Sequence, residues 1–406
     1  MKAVIKKPAK MGTVRAIASK SMAHRMMIAQ ALSECESTVL CRDTSEDIEA
    51  TKRCIEALRA EGSVKKLYCG ESGSTLRFLL PIAGVLGLEC EFYMKGRLPQ
   101  RPLSPLYEEM LSKGCNLSPQ GQTPLRLSGR LTGGRYMMPG NISSQYITGL
   151  LFALPLAGED SRIDISGRLE SSPYIDLTLQ VLDAAGIKVF SDDKGFDIPG
   201  GQHYRLEGTH HIEGDWSNAA FWLCMSVMTG GSISCSDLDM NSRQGDRRIL
   251  DVLESMGASI MCEDGKISVS AAHGRLRGAV IDASEIPDLV PAIATVAVAA
   301  RGQTRITNAG RLRLKESDRL KSVSAVLKAL GADISEFSGG LVINGSGSIR
   351  GGSADSFGDH RIAMMAATAA CISRGEITIS GAEDVNKSYP GFYRDYCALG
   401  GVIDID

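Results

Sequence analysis

One phrase returns along this chain: an apolar helix end, a glycine, then a short strand. It reads Leu111-Ser112-Lys113-Gly114, Asp183-Ala184-Ala185-Gly186, Glu254-Ser255-Met256-Gly257 and Lys328-Ala329-Leu330-Gly331. The glycines lie 72, 71 and 74 residues apart (114 to 186, 186 to 257, 257 to 331), and fainter copies at Gly62 and Gly400 make six. A helix end that turns back needs a positive φ, which glycine adopts without a Cβ penalty, so the residue type recurs with the element. Between these glycines, a polar start repeatedly precedes a helix that is apolar almost all round. The starts are Ser19-Lys20-Ser21, Glu71-Ser72-Gly73-Ser74, Ser143-Ser144-Gln145, Asp215-Trp216-Ser217, Pro287-Asp288 and Asp359-His360-Arg361, and the apolar stretches include 22–32, 221–228 and 290–300. A helix without a polar face is buried on every side, so these six should form the cores. Strands and amphipathic helices would then cover them.

This pattern predicts an α/β protein of six repeated units, three per domain. The break falls near Glu213-Gly214-Asp215. Residues 1–17 are expected to pair with the C-terminal half, since the sixth unit needs a closing strand. The expected domains are therefore 18–213 and a discontinuous 1–17 plus 214–406. Within the latter, 311–314 alternates Arg and Leu at the period of a strand, and apolar positions at helical spacing follow from Leu320. Glu316 sits where the period switches, among Arg311, Arg313, Lys315 and Arg319.

Composition narrows the reading. A chain of 406 residues at 43% hydrophobic is too long for one core, because single cores stop growing at roughly 250–300 residues. The formal charge of −2 argues against a bulk nucleic-acid surface, so basic residues with a function should be concentrated in a site. Eleven cysteines without a Cys-x-x-Cys pair suit free thiols in a reducing compartment. No signal pattern opens the chain, and the apolar runs 289–300 and 362–372 fall short of the ~20 residues a membrane span needs. A cytoplasmic protein is expected. His210-His211 is read as a surface loop rather than a metal site.

Helix N-termini carry partial positive charge and unpaired N–H groups, so several converging on one cleft make an anion site. Lys20, Arg25, Arg77 and Arg101 from the first half, and Lys315, Arg319, Arg361 and Lys387 from the second, would reinforce it. The expected ligand is small and multiply negative, bound in a cleft between the domains.

Ser19-Lys20-Ser21 with Arg25, Gly73-Ser74-x-x-Arg77, Arg101-Pro102, Ser143-Ser144-Gln145, Asn241-Ser242-x-Gln244-Gly245-Asp246, Ile286-Pro287-Asp288, Lys315-Glu316-x-Asp318-Arg319, Asp359-His360-Arg361 and Lys387 occur in one order. Together they resemble the 5-enolpyruvylshikimate-3-phosphate synthase (3-phosphoshikimate 1-carboxyvinyltransferase) family. The resemblance implies an inside-out α/β barrel fold of βαβαββ units, with the active site in the inter-domain cleft. It also implies transfer of the enolpyruvyl group of phosphoenolpyruvate to the 5-hydroxyl of shikimate 3-phosphate, in the shikimate pathway toward chorismate and the aromatic amino acids. Glyphosate is the family's inhibitor.

Roles follow residue by residue from that resemblance. Shikimate 3-phosphate would meet Lys20, Ser21, Arg25, Ser143, Ser144, Gln145, Ser171, Tyr174, Asp288 and Lys315. Phosphoenolpyruvate would meet Lys20, Gly73, Arg101, Gln145, Arg319, His360, Arg361 and Lys387. Glu316 is the expected acid at the methylene carbon, Asp288 the base at the hydroxyl, and Lys20 a partner in proton transfer. No metal, cofactor, nucleic acid or membrane is called for, and a monomer is expected. The chain departs from the family's usual pattern at Glu71-Ser72-Gly73-Ser74, where many members have Asn-Ala-Gly-Thr, at Phe78 after Arg77, and at Arg311. Two other readings compete: the sister enzyme acting on UDP-N-acetylglucosamine, and a polyanion-binding repeat module without catalysis.

Overall fold

A parallel pair of strands cannot be joined by a tight turn and needs a crossover, usually a helix. The computed structural model, which describes residues 1–271 and 275–406, holds six sheets, and each contains one such parallel pair. Val64–Gly70 pairs with Glu89–Met94 across the helix Gly73–Val85. Gly134–Pro139 pairs with Ser161–Ser166 across Ser144–Ala153. Val280–Asp282 pairs with Gly302–Thr307 across Val290–Ala299, and Gly352–Asp355 with Ile377–Ser380 across His360–Ala369. The crossover helices are apolar on all sides and correspondingly buried: every residue of Gly73–Val85 except Ser74, and all of His360–Ala369.

The remaining two pairs explain how the chain is divided. Gly12–Arg15 runs parallel to Ile233–Ser236, which follows the helix Trp216–Met228; Ser37–Leu40, after the helix Lys20–Leu32, runs parallel to Gly208–His211. Residues 20–212 are thus inserted within one crossover and supply the last strand of their own first one. By Cα proximity the chain forms two compact units, Met1–Ser19 with Glu213–Asp406, and Lys20–Ile212. Each unit has three of the six sheets. In the discontinuous unit Lys2–Lys7 lies between Ile377–Ser380 and Val402–Ile405, antiparallel to both.

All six repeat glycines have φ between +74° and +115°. Five stand directly after a helix's C-cap residue, and Gly62 stands one residue further. The amides beyond the helix fold back onto its last carbonyls, as in Ile187 N to Leu182 O at 2.9 Å and Ala332 N to Leu327 O at 2.9 Å.

Two local expectations are corrected. Residues 311–314 are not a strand but part of a 3-10 helix, Gly310–Leu314. The preceding strand ends at Thr307 and Asn308 turns the backbone at φ +55°, so Leu312 faces the core while Leu314 is exposed. His210 and His211 are not in a loop: they end Gly208–His211, paired parallel with Ser37–Leu40. All eleven cysteines are free.

Candidate active site

Each crossover helix begins beyond the carboxyl end of a strand, where its unpaired N–H groups favour anions. The sequence caps these starts with short polar side chains. Ser72 accepts from Thr75 N, Ser143 from Gln145 N, Asp215 from Asn218 N and Asp359 from Arg361 N.

In the unit Lys20–Ile212 the starts carry cations. Lys20 Nζ lies 2.9 Å from Asp47 Oδ2. Arg77 donates to Gln145 Oε1 at 2.9 Å and to Pro102 O at 3.0 Å, while the Gln145 amide donates to Ser74 Oγ at 3.0 Å. Gly73 lies under two guanidinium groups: a Cβ there would sit 2.6 Å from Arg77 Nη1 and 2.9 Å from Arg101 Nη1. Arg25 is buried and, among the described residues, donates to neutral oxygens, at Thr178 Oγ1 (2.9 Å), Ser21 O (2.7 Å), Tyr174 O (2.8 Å) and Thr148 Oγ1 (3.4 Å). Burial pushes its guanidinium down to about 10, and among the described residues no carboxylate lies within ion-pair distance. A buried cation in that setting favours an incoming anion. Ser143 and Ser144 open one helix; Ser171, buried and held at φ +57°, precedes another, Ser172–Ala184.

The discontinuous unit gathers carboxylates around one guanidinium. Arg319, 1% exposed, donates from Nη1 to Asp288 Oδ1 (2.7 Å), from Nη2 to Glu316 Oε2 (2.7 Å) and from Nε to Asp359 Oδ2 (2.9 Å). Asp359 Oδ1 also accepts from Nη2 at 3.3 Å, so four of its five N–H groups are committed to carboxylates. Lys315 Nζ is 3.3 Å and Arg361 Nη2 3.5 Å from Asp288. Burial alone would raise Asp288, but Arg361, Lys315 and Arg319 outweigh it and hold the carboxyl well below the usual range. Burial lowers Lys315, offset in part by Asp288. His360 is buried beside Asp359, and Lys387 is buried at the end of the 3-10 helix Ala382–Lys387.

The structure thus joins Asp288, Lys315, Glu316, Arg319 and Arg361 in one unit, and Gly73, Arg101 and Gln145 in the other through Arg77. It adds three carboxylates that motif reading passed over. Asp47 holds Lys20 and Asp359 holds Arg319. Asp246, fully buried, accepts from Ser217 Oγ and is pushed up to about 6 by burial and then by the charge on Asp288. Asp246 and Asp359 lie inside quoted motifs, so the signal was present; an aspartate before a helix simply reads as a cap.

Comparison with known proteins gives the family of the chain. The family model described as EPSP synthase (3-phosphoshikimate 1-carboxyvinyltransferase) matches residues 5–396. The chain is 42% identical to the 3-phosphoshikimate 1-carboxyvinyltransferase of Clostridium perfringens strain 13, over 99% of each chain. It is 42% identical to that of Clostridium kluyveri, over 100% of this chain and 99% of the other. Among solved structures, EPSP synthase from Acinetobacter baumannii superposes with a TM-score of 0.82 at 25% identity, covering 100% of this chain and 99% of that one. The enolpyruvyl transferase NikO from Streptomyces tendae shares the fold, with a TM-score of 0.78 at 17% identity over 99% and 98% of the two chains. The fold is therefore the two-domain α/β fold of the enolpyruvyl transferases, and the chain belongs to the EPSP synthase (3-phosphoshikimate 1-carboxyvinyltransferase) family.

Proposed function

We propose that this chain transfers the enolpyruvyl group of phosphoenolpyruvate to the 5-hydroxyl of shikimate 3-phosphate by addition and elimination, releasing phosphate, on the shikimate route to chorismate. The observation that carries this reading is the Arg319 junction, where one buried guanidinium holds Asp288 and Glu316 at 2.7 Å each. The reaction needs a proton donor at the methylene carbon of phosphoenolpyruvate and a proton acceptor at the attacking hydroxyl. Glu316 delivers the proton as the C–O bond forms at the adjacent carbon. It recovers a proton from the new methyl group as the bond to phosphate breaks. Asp288, kept ionised by its cations, accepts the hydroxyl proton. Lys20 balances phosphate charge and shares in proton transfer.

Binding roles follow the charges. Arg25 takes the shikimate carboxylate; Ser143, Ser144 and Ser171 take its phosphate; Ser21, Gln145 and Lys315 meet its hydroxyls; and Tyr174 lies against its ring. Phosphoenolpyruvate is held by Lys20, Arg101, Gln145, His360, Arg361 and Lys387, with Gly73 allowing close approach of the backbone. Arg319 contributes mainly charge and position, since four of its five donors are committed to carboxylates. We take residues 18–213 as the shikimate 3-phosphate side and the rest as the phosphoenolpyruvate and carboxylate side. The protein would work as a cytoplasmic monomer without a metal or cofactor.

The test is phosphate release from both substrates, with controls omitting each and one offering UDP-N-acetylglucosamine instead. Release should require both pathway substrates, and Glu316→Gln should lower kcat by about 10²–10⁴ with a smaller change in KM. Release with the nucleotide sugar alone, or a fully active Glu316→Gln, would overturn the assignment.

A further inference from the structure

His24 sits on the helix Lys20–Leu32, one turn after Lys20 and beside Arg25, with its ring 1% exposed. Its Nδ1 lies 2.6 Å from Thr51 Oγ1, and Thr51 Oγ1 lies 2.6 Å from Thr75 Oγ1. Thr75 in turn donates its hydroxyl to Ser72 Oγ at 2.7 Å. Thr51, Thr75 and Ser72 are fully buried, on the helix Glu46–Arg59, on Gly73–Val85 and at the N-cap of the latter.

Each hydroxyl has one proton to give, which fixes the direction of the whole chain. Thr75 gives its proton to Ser72, so its oxygen accepts from Thr51. Thr51 has then spent its proton, so it accepts from His24. The ring must carry hydrogen on Nδ1. Its Nε2 has no hydrogen-bond partner among the described residues, and the ring edge meets Phe78 with centroids 6.4 Å apart. Burial and the charges of Lys20 and Arg25, opposed by Asp47, lower His24 to about 3, so a second proton is not held near neutral pH.

We propose that His24, as the Nδ1–H tautomer, is a positioning residue for enolpyruvyl transfer: it drives a one-way hydrogen-bond chain through Thr51 and Thr75 to Ser72 that locks three helix starts together. Lys20 is one turn before His24, Asp47, its ion-pair partner, is one turn before Thr51, and Gly73 follows Ser72. The chain therefore fixes the spacing between the lysine and the glycine given to phosphoenolpyruvate above, and the inference rests on that reading. Fixed spacing matters because a shift of about 1 Å in a positioning group can cost about 10²-fold in rate.

The test combines kinetics with nuclear magnetic resonance of the full chain. Thr51→Val removes the central hydroxyl at nearly constant size, and His24→Leu removes the donor. Each should raise the KM for phosphoenolpyruvate about tenfold while changing kcat less, and the double variant should be no worse than either single one. His24→Asn, whose amide can donate in place of Nδ1–H, should recover most of the loss. In ¹⁵N-labelled wild type, the His24 ring should show the proton on Nδ1 at neutral pH. Hydrogen on Nε2 instead would overturn the proposal even in a protein that releases no phosphate, an outcome that would count separately against the proposed function. Variants that unfold more readily but keep the wild-type KM would overturn it as well, reducing the chain to a packing feature.

Discussion

Asp246 and Asp288 share a neighbourhood and titrate in opposite directions. For Asp246, burial and the nearby Asp288 charge outweigh Arg361, and its pKa rises from the ordinary 3.8 to about 6. For Asp288, three cations overcome burial. The consequences for stability have opposite signs. A raised carboxyl stabilises the fold while protonated, so its contribution is complete below 3.8 and is lost as pH rises through about 6. A lowered one contributes above the ordinary value and is lost as pH falls. Asp246→Asn should therefore gain thermal stability over wild type by a margin that grows from pH ~4 to pH ~7, and a constant margin would contradict it. At Gly73 the constraint is steric. A methyl group would meet Arg77 and Arg101, so Gly73→Ala should raise the KM for phosphoenolpyruvate about tenfold and weaken inhibition by glyphosate; unchanged inhibition would count against that geometry. The cations of the candidate site were legible because lysine and arginine are conspicuous at helix starts. Asp47, which holds Lys20, was not, because it lies on another helix and no local spacing marks the pairing.

At the level of elements, the period of about 72 residues was legible because five of the six units end a helix the same way, and a positive φ leaves few residue choices. What escaped was local. The Arg-Leu alternation at 311–314 satisfies a strand pattern, but four residues are too few to separate it from a 3-10 turn. His210 and His211 carry no apolar alternation, and only the partner strand Ser37–Leu40 makes them a strand. Helix contacts set tighter demands than composition suggests. Where Gly73–Val85 crosses Ser144–Ala153, a Cβ on Gly149 would lie 2.2 Å from Arg77 O and 3.1 Å from Pro81 Cγ. Gly149→Ala, although favourable by helix propensity, should cost about 1–3 kcal/mol in a urea titration. Stability equal to wild type would mean that the two helices can move apart.

For the whole molecule, the course of the chain matters as much as its contacts. Residues 20–212 form a continuous unit, whereas the other unit is assembled from both sides of them. The outermost example is Lys2–Lys7, whose neighbours in the sheet are Ile377–Ser380 and Val402–Ile405. On a ribosome adding roughly 5–20 residues per second, this segment emerges tens of seconds before either partner. Throughout that wait it is an unpaired edge, the kind of segment that recruits other nascent chains. Its sequence, Lys2-Ala3-Val4-Ile5-Lys6-Lys7, confines the sticky part to three residues between cations. The charges that flank the strand thus serve the unfinished polypeptide, guarding it until its two partner strands arrive.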